Sequence, residues 1–186
     1  MKKFGVLIFS IFCICYSSVL LAVGEAPAKK PWTILVFLNA DNNLEDYGFE
    51  DVREMEKIGS NDQVNVVVQF DPADSSGTQR LYIEKAVHPY TSKRNSYQSP
   101  VVEQLPEQDM GDVKTLVKFV SWGMENYPAE KYMVIIWNHG SGWDKEKESP
   151  EVFKGISYDD SSGNHITTNQ LADAFDQVNA ETGNRI

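Results

Sequence analysis

The chain has 186 residues, of which 27 are acidic and 17 basic, giving a formal net charge of −10. Such a surface repels nucleic acid and anionic membranes, and the length suits one domain with a core of its own. The only two cysteines, Cys13 and Cys15, both fall in an N-terminal apolar run, so the remainder excludes a disulfide framework and must be held by ordinary packing.

Lys2 and Lys3 precede an uncharged run over residues 4–23 that closes on Ala22-Val23-Gly24. This is the pattern of a secretory signal, with cleavage expected after Gly24; a membrane anchor is the alternative, because the run approaches the ~20 residues a spanning helix needs. Neither cysteine has the Leu-small-small context of lipid attachment. The expected organisation is a signal peptide over residues 1–24, a polar spacer over 25–31 and one domain over 32–186. The protein is then secreted or periplasmic and keeps no membrane segment once the signal is removed.

Residues 32–38 (WTILVFL) form an apolar run that reads as a buried strand, and residues 39–43 (NADNN) carry turn chemistry. Leu44, Tyr47, Val52, Met55 and Ile58 lie near helical spacing, with Gly59 as the stop. Residues 64–70 are a second buried strand ended by Asp71-Pro72, and residues 80–86 a third, less buried one. The pattern then fails over residues 88–109, which read as a long loop with a short strand at Val101-Val102. Asp112 caps a helix carrying Val113, Leu116, Val117, Val120 and Met124, closed by Tyr127-Pro128. Residues 132–137 (YMVIIW) are the most hydrophobic strand outside the leader. A charged loop (residues 144–154, DKEKESPEVFK) leads to a short strand at residues 156–158. Thr167 and Gln170 have the spacing of a capping box for a helix running to about Ala180. Alternating strands and helices, with the central strands apolar on both faces, predict a mainly parallel sheet covered on each side. Ligands and chemistry in such sheets sit beyond the carboxyl ends of the strands.

Two polar loops occupy that position, residues 39–43 and residues 138–143 (NHGSGW). His139 follows a buried strand and is flanked by Gly140 and Gly142. A histidine near its ordinary pKa of about 6.5 can shuttle protons at neutral pH, and the uncovered N–H of Gly140 can approach a developing oxyanion. A hydrogen-bonded turn after a strand is the plainer account of the same residues. His88 and His165 stand apart from His139, without the spacing of a zinc site, so no catalytic metal is expected. Asp159 and Asp160, with Asp41 and Asp144, can supply oxygen ligands to calcium, although a solvated turn explains them equally well.

The blocks WTILVFLNADNNL (residues 32–44), Asp109-Met-Gly-Asp112, IWNHGSGW (residues 136–143) and Tyr158-Asp-Asp160 before a capped helix resemble, in order, those of the clostripain family. The resemblance spans nearly all of the chain after the leader, and the histidine block is its most specific part. It implies a caspase-like αβα sandwich, cysteine endopeptidase activity and cleavage after Arg or Lys in peptide or protein substrates. It also implies His139 as catalytic base and acid and Gly140 as the oxyanion donor.

In that family the nucleophilic cysteine follows a strand placed after the helix that Thr168 begins, so it is expected beyond residue 186. No residue beside His139 replaces a thiolate; Ser141, two positions along, has no independent base. The chain alone is therefore expected to be inert, needing a missing segment or subunit. The alternative function is an exported, non-catalytic binding domain that retains the fold, and a metal-dependent hydrolase is disfavoured by the ligand count. Family precursors are activated by cuts after basic residues. Lys145 and Lys147 have acidic neighbours on both sides, whereas Lys154 follows Val152-Phe153 and precedes Gly155, so the Lys154–Gly155 bond is the expected self-processing site.

Overall fold

A computed structural model describes residues 29–73, 77–90, 95–140, 155–184 and 186. The expected signal, Ser141, Asp144 and Lys154 lie outside those residues. The apolar run at residues 32–38 becomes β1 (Lys30–Ala40), with β2 (Val64–Pro72) on one side and β5 (Ala129–Trp137) on the other, both parallel to it. β3 (Gln79–Tyr82) and β4 (Val101–Gln104) continue the sheet antiparallel, in the order β4-β3-β2-β1-β5. β1 starts inside the expected spacer because Lys30 pairs with Ala129, while Pro31, which has no N–H to give, falls between the paired residues Lys30 and Trp32.

Strand side chains alternate between faces, and that alternation makes two cores. Leu35, Phe37 and Val67 meet α2 (Val113–Asn126) and α3 (Thr168–Thr182) through Leu116, Phe119, Val120, Ala174 and Val178. Val36, Leu38, Val68 and Phe70 meet α1 (Glu45–Met55) through Phe49 and Val52. Among the described residues the architecture is thus an αβα sandwich with one helix on one face and two on the other. Each of these fully buried large side chains contributes about 1.5–3 kcal/mol relative to exposure.

Local chemistry sets the helix ends. Asp112 Oδ1 accepts the Lys114 N–H at 2.9 Å, and Thr167 with Gln170 completes the expected capping box. The inward face of α1 differs from the one its spacing suggests: Phe49 and Val52 are buried, whereas Tyr47 is 59% and Ile58 72% exposed. Gly48 accounts for this, because a Cβ there would stand 2.8 Å from the Ala40 Cβ. The helix seats against the strand on its glycine side, which turns Tyr47 outward. β3 is more deeply placed than expected, with Leu81 and, just after it, Ile83 fully buried between β2 and the residue 98–101 segment. β5, by contrast, is an edge strand among the described residues, and it leaves Met133 44% and Ile135 40% exposed. β6 (Gly155–Ile156) and β7 (Ile166–Thr167) form a separate two-stranded ladder ahead of α3. Among the described residues no helix is long and apolar enough to cross a membrane.

Candidate active site

Three parallel strands deliver their carboxyl ends to one place: β1 at Asn39, β2 at Asp71 and β5 at Trp137. The loop at residues 157–162 lies across them, fixed by asparagine side chains. Asn138 Nδ2 donates to Asn39 O at 2.8 Å and Tyr158 O at 2.9 Å, while its Oδ1 accepts the Tyr158 N–H at 3.0 Å. Asn39 Nδ2 donates to Ser157 Oγ at 3.1 Å and Tyr158 O at 3.0 Å, and Asn42 Nδ2 reaches the same carbonyl at 3.3 Å. Ser157 is a non-glycine residue at φ +59°, a conformation such residues rarely adopt, and is held there by donating to Met110 O at 2.8 Å.

His139 emerges exposed from the end of β5, and its Nε2 lies 2.8 Å from Asn43 Oδ1. Because a carboxamide oxygen only accepts, Nε2 carries the proton in this pairing and the neutral ring keeps its lone pair on Nδ1. Just before it, Trp137 Nε1 donates to Asp51 Oδ2 at 2.6 Å, which fixes the strand end against α1. Gly140 is exposed, with no atom within 4 Å of where a side chain would begin, and it bridges to Ile156. The chain thus leaves at Gly140 and returns at Gly155 within one small ladder. Gly155 itself is buried and paired with Thr167, against the ring of His165.

Beneath this loop three carboxylates converge. Asp41, Asp71 and Asp159 are 3%, 0% and 2% exposed, and an oxygen of each lies within 4.8 Å of the others. Burial above all, then the negative charges of Glu107, Asp159 and Asp41, push the Asp71 carboxyl up to about 8, against the lowering effect of the Thr78 hydroxyl. This group differs from the one proposed from sequence. Asp160 is exposed and lies outside it, while Asp71, read in the sequence only as the end of the second strand, belongs to it.

The model of the clostripain family of peptidases matches residues 36–182. The chain belongs to the clostripain family. It is 34% identical to the clostripain of Hathewaya histolytica over an alignment of 144 residues, which covers 70% of this chain and 27% of that protein. Two solved structures of secreted C11 cysteine proteases from Bacteroides thetaiotaomicron share its fold. One, called iotapain, superposes with a TM-score of 0.58 at 12% identity, covering 82% of this chain and 43% of that one. The other, bound to an irreversible peptide inhibitor, gives 0.54 at 20% identity, covering 78% and 39%. The clostripain-family chain described here therefore spans less than half the length of these relatives.

His139 and Gly140 stand together at the sheet's carboxyl end, and Gly155 stands beside them through the Gly140–Ile156 bridge. What sequence reasoning passed over is the asparagine set. Asn39, Asn42, Asn43 and Asn138 read as turn formers, yet their side chains tie the histidine loop to the residue 157–162 loop. Two asparagine-bearing loops after two apolar strands was the available signal.

Proposed function

We propose that this chain is the histidine-bearing part of a clostripain-family cysteine endopeptidase that cuts after Arg or Lys. The observation that carries the reading is His139 Nε2 against Asn43 Oδ1 at 2.8 Å, which reserves Nδ1 for proton transfer at the mouth of a parallel sheet. The nucleophile is a cysteine thiolate supplied from outside this sequence, since Cys13 and Cys15 belong to the leader. His139 takes the thiol proton, the thiolate attacks the scissile carbonyl carbon, and the amide nitrogen leaves with that proton. Water then releases the acyl group. The Gly140 N–H, uncovered by any side chain, stabilises the tetrahedral oxyanion, a contribution of roughly 3 kcal/mol for one good donor. Export through the leader and self-cleavage after Lys154 complete the proposal. The bridge between Gly140 and Ile156 supports the latter, because it joins residues on either side of the cut.

The test uses Arg and Lys ester substrates. The isolated chain is expected to show no turnover and no reaction with thiol-directed inhibitors once the leader is absent. The complete enzyme is expected to turn over and to lose that activity, but not its fold, on His139→Ala. Turnover by the isolated chain, or a complete enzyme indifferent to His139→Ala, would overturn the proposal.

A further inference from the structure

We propose that Asp51, on α1, is a positioning residue for the histidine of the peptidase site: its carboxylate holds the Trp137 indole and so sets where His139 leaves β5. The Trp137 Nε1–H donates to Asp51 Oδ2 at 2.6 Å, a short bond of the kind a carboxylate acceptor makes. Trp137 is also the last residue of β5 in register with β1, opposite Leu38, so Asn138 and His139 lie beyond the final rung of that ladder. The indole packs, half-buried, against the core that Leu38, Phe49 and Val52 form between the sheet and α1. A hydrogen bond seated on apolar packing thus joins the helix to the strand end.

The same helix meets the histidine segment at a second point. Asn43 stands just before Leu44, the N-cap position of α1, and its Oδ1 lies 2.8 Å from His139 Nε2. Asn43 and Asp51 therefore belong to one unit, and their partners His139 and Trp137 are separated by Asn138 alone. The helix is itself held close to β1, where a Cβ on Gly48 would stand 2.8 Å from the Ala40 Cβ.

Distances show why the Asp51 contact matters to the Asn43 contact. A slip of about 1 Å along the line from Asn43 to His139 would stretch the 2.8 Å contact beyond the ~3.2 Å reach of an N–H···O bond. The ring would then lose the partner that keeps its proton on Nε2 and its lone pair on Nδ1. Asn138 does not substitute for Asp51, because its side chain ties the strand end to Asn39 and Tyr158 rather than to α1. The hold on the ring needs no substrate; its effect on turnover rests on the peptidase reading.

The experiment compares the complete enzyme, its histidines isotopically labelled for nitrogen NMR, with Asp51→Ala, Asp51→Asn, Trp137→Phe and a variant carrying both Asp51→Ala and Trp137→Phe. The His139 signals are those missing from His139→Ala. In the parent they should report a protonated Nε2 and an unprotonated Nδ1, and Asp51→Ala and Trp137→Phe should each move them towards a mixture of the two tautomers. On Arg and Lys esters each should lower kcat by about 10–100-fold with KM within about twofold, because a small misplacement costs rate rather than binding. Asp51→Asn, whose amide oxygen accepts the same N–H, should recover most of that loss. The double variant should be no slower than the slower single one, as two ends of one contact require. Glu50→Ala, altering an exposed neighbour on α1, should change nothing. Parent-like kcat and tautomer in Asp51→Ala and Trp137→Phe, Asp51→Asn as impaired as Asp51→Ala, or losses that multiply in the double variant would each overturn the assignment. If Asp51→Ala does not fold, Trp137→Phe, which keeps an aromatic ring and loses the N–H, decides alone. Tautomer shifts that follow Asp51 in an enzyme indifferent to His139→Ala would count against the peptidase reading alone.

Discussion

Asp71→Asn gives the sharpest test of the buried acidic group. The Asp71 carboxyl is raised from 3.8 to about 8, chiefly by burial. The sign follows from proton binding: between those values the folded chain holds a proton that the unfolded chain has lost. The associated stability is fully present below about pH 4 and disappears as pH rises towards 8. Each unit corresponds to about 1.4 kcal/mol, so the whole interval is worth about 6 kcal/mol, an upper figure comparable to the total stability of many domains. Asparagine has nearly the same shape, can still accept the Thr78 hydroxyl, and does not titrate. Urea unfolding, followed by tryptophan fluorescence between pH 4 and 8, should therefore show Asp71→Asn gaining on the parent steadily as pH rises, by several kcal/mol at the alkaline end. Comparing the two chains cancels the titration of other carboxylates shared by both. Parallel profiles would refute the reasoning, because they would mean that Asp71 ionises in the folded state as easily as in the unfolded one.

Other outcomes follow from single contacts. Asn138→Ala removes three hydrogen bonds that join Asn39 and Tyr158 to the histidine loop, and should cost about 1–3 kcal/mol by urea unfolding. The complete enzyme carrying it should lose kcat more than it gains KM, because the histidine is displaced while the substrate cleft is not. The open edge of β5, with Met133 and Ile135 half-exposed, should make residues 25–186 oligomeric in size-exclusion chromatography with light scattering. Ile135→Lys should shift that population towards monomer, whereas a parent chain that is already a cooperatively melting monomer would contradict the expectation. In the complete enzyme a fragment beginning Gly155-Ile-Ser should be found by N-terminal sequencing and should vanish with Lys154→Ala or with loss of the thiol. Its persistence without the thiol would assign the cut to a foreign protease.

The order of strands and helices was legible in the sequence because each element carries a local signature. The continuous apolar run at residues 32–38, the Asp112 and Thr167 caps and the Gly59 stop depend only on neighbouring residues. His139 was legible for the same reason, being a histidine between a strand and two glycines. What required the tertiary structure was everything joined across the chain. Only the seating of Gly48 on Ala40 decides which side of α1 is buried, and only strand order makes β5 an edge among the described residues. Asp71 looked like no more than the end of the second strand, yet parallel pairing of β1 with β2 sets it beside Asp41, and the return of the chain at Ser157 brings Asp159 to both. Asn43 and His139, 96 positions apart, meet because β1 and β5 are parallel neighbours whose ends lie side by side. Sequence fixes the chemistry that each position can offer through its own side chain and its near neighbours. Which of those groups share a site depends on strand register, a long-range property that no local window of the chain contains.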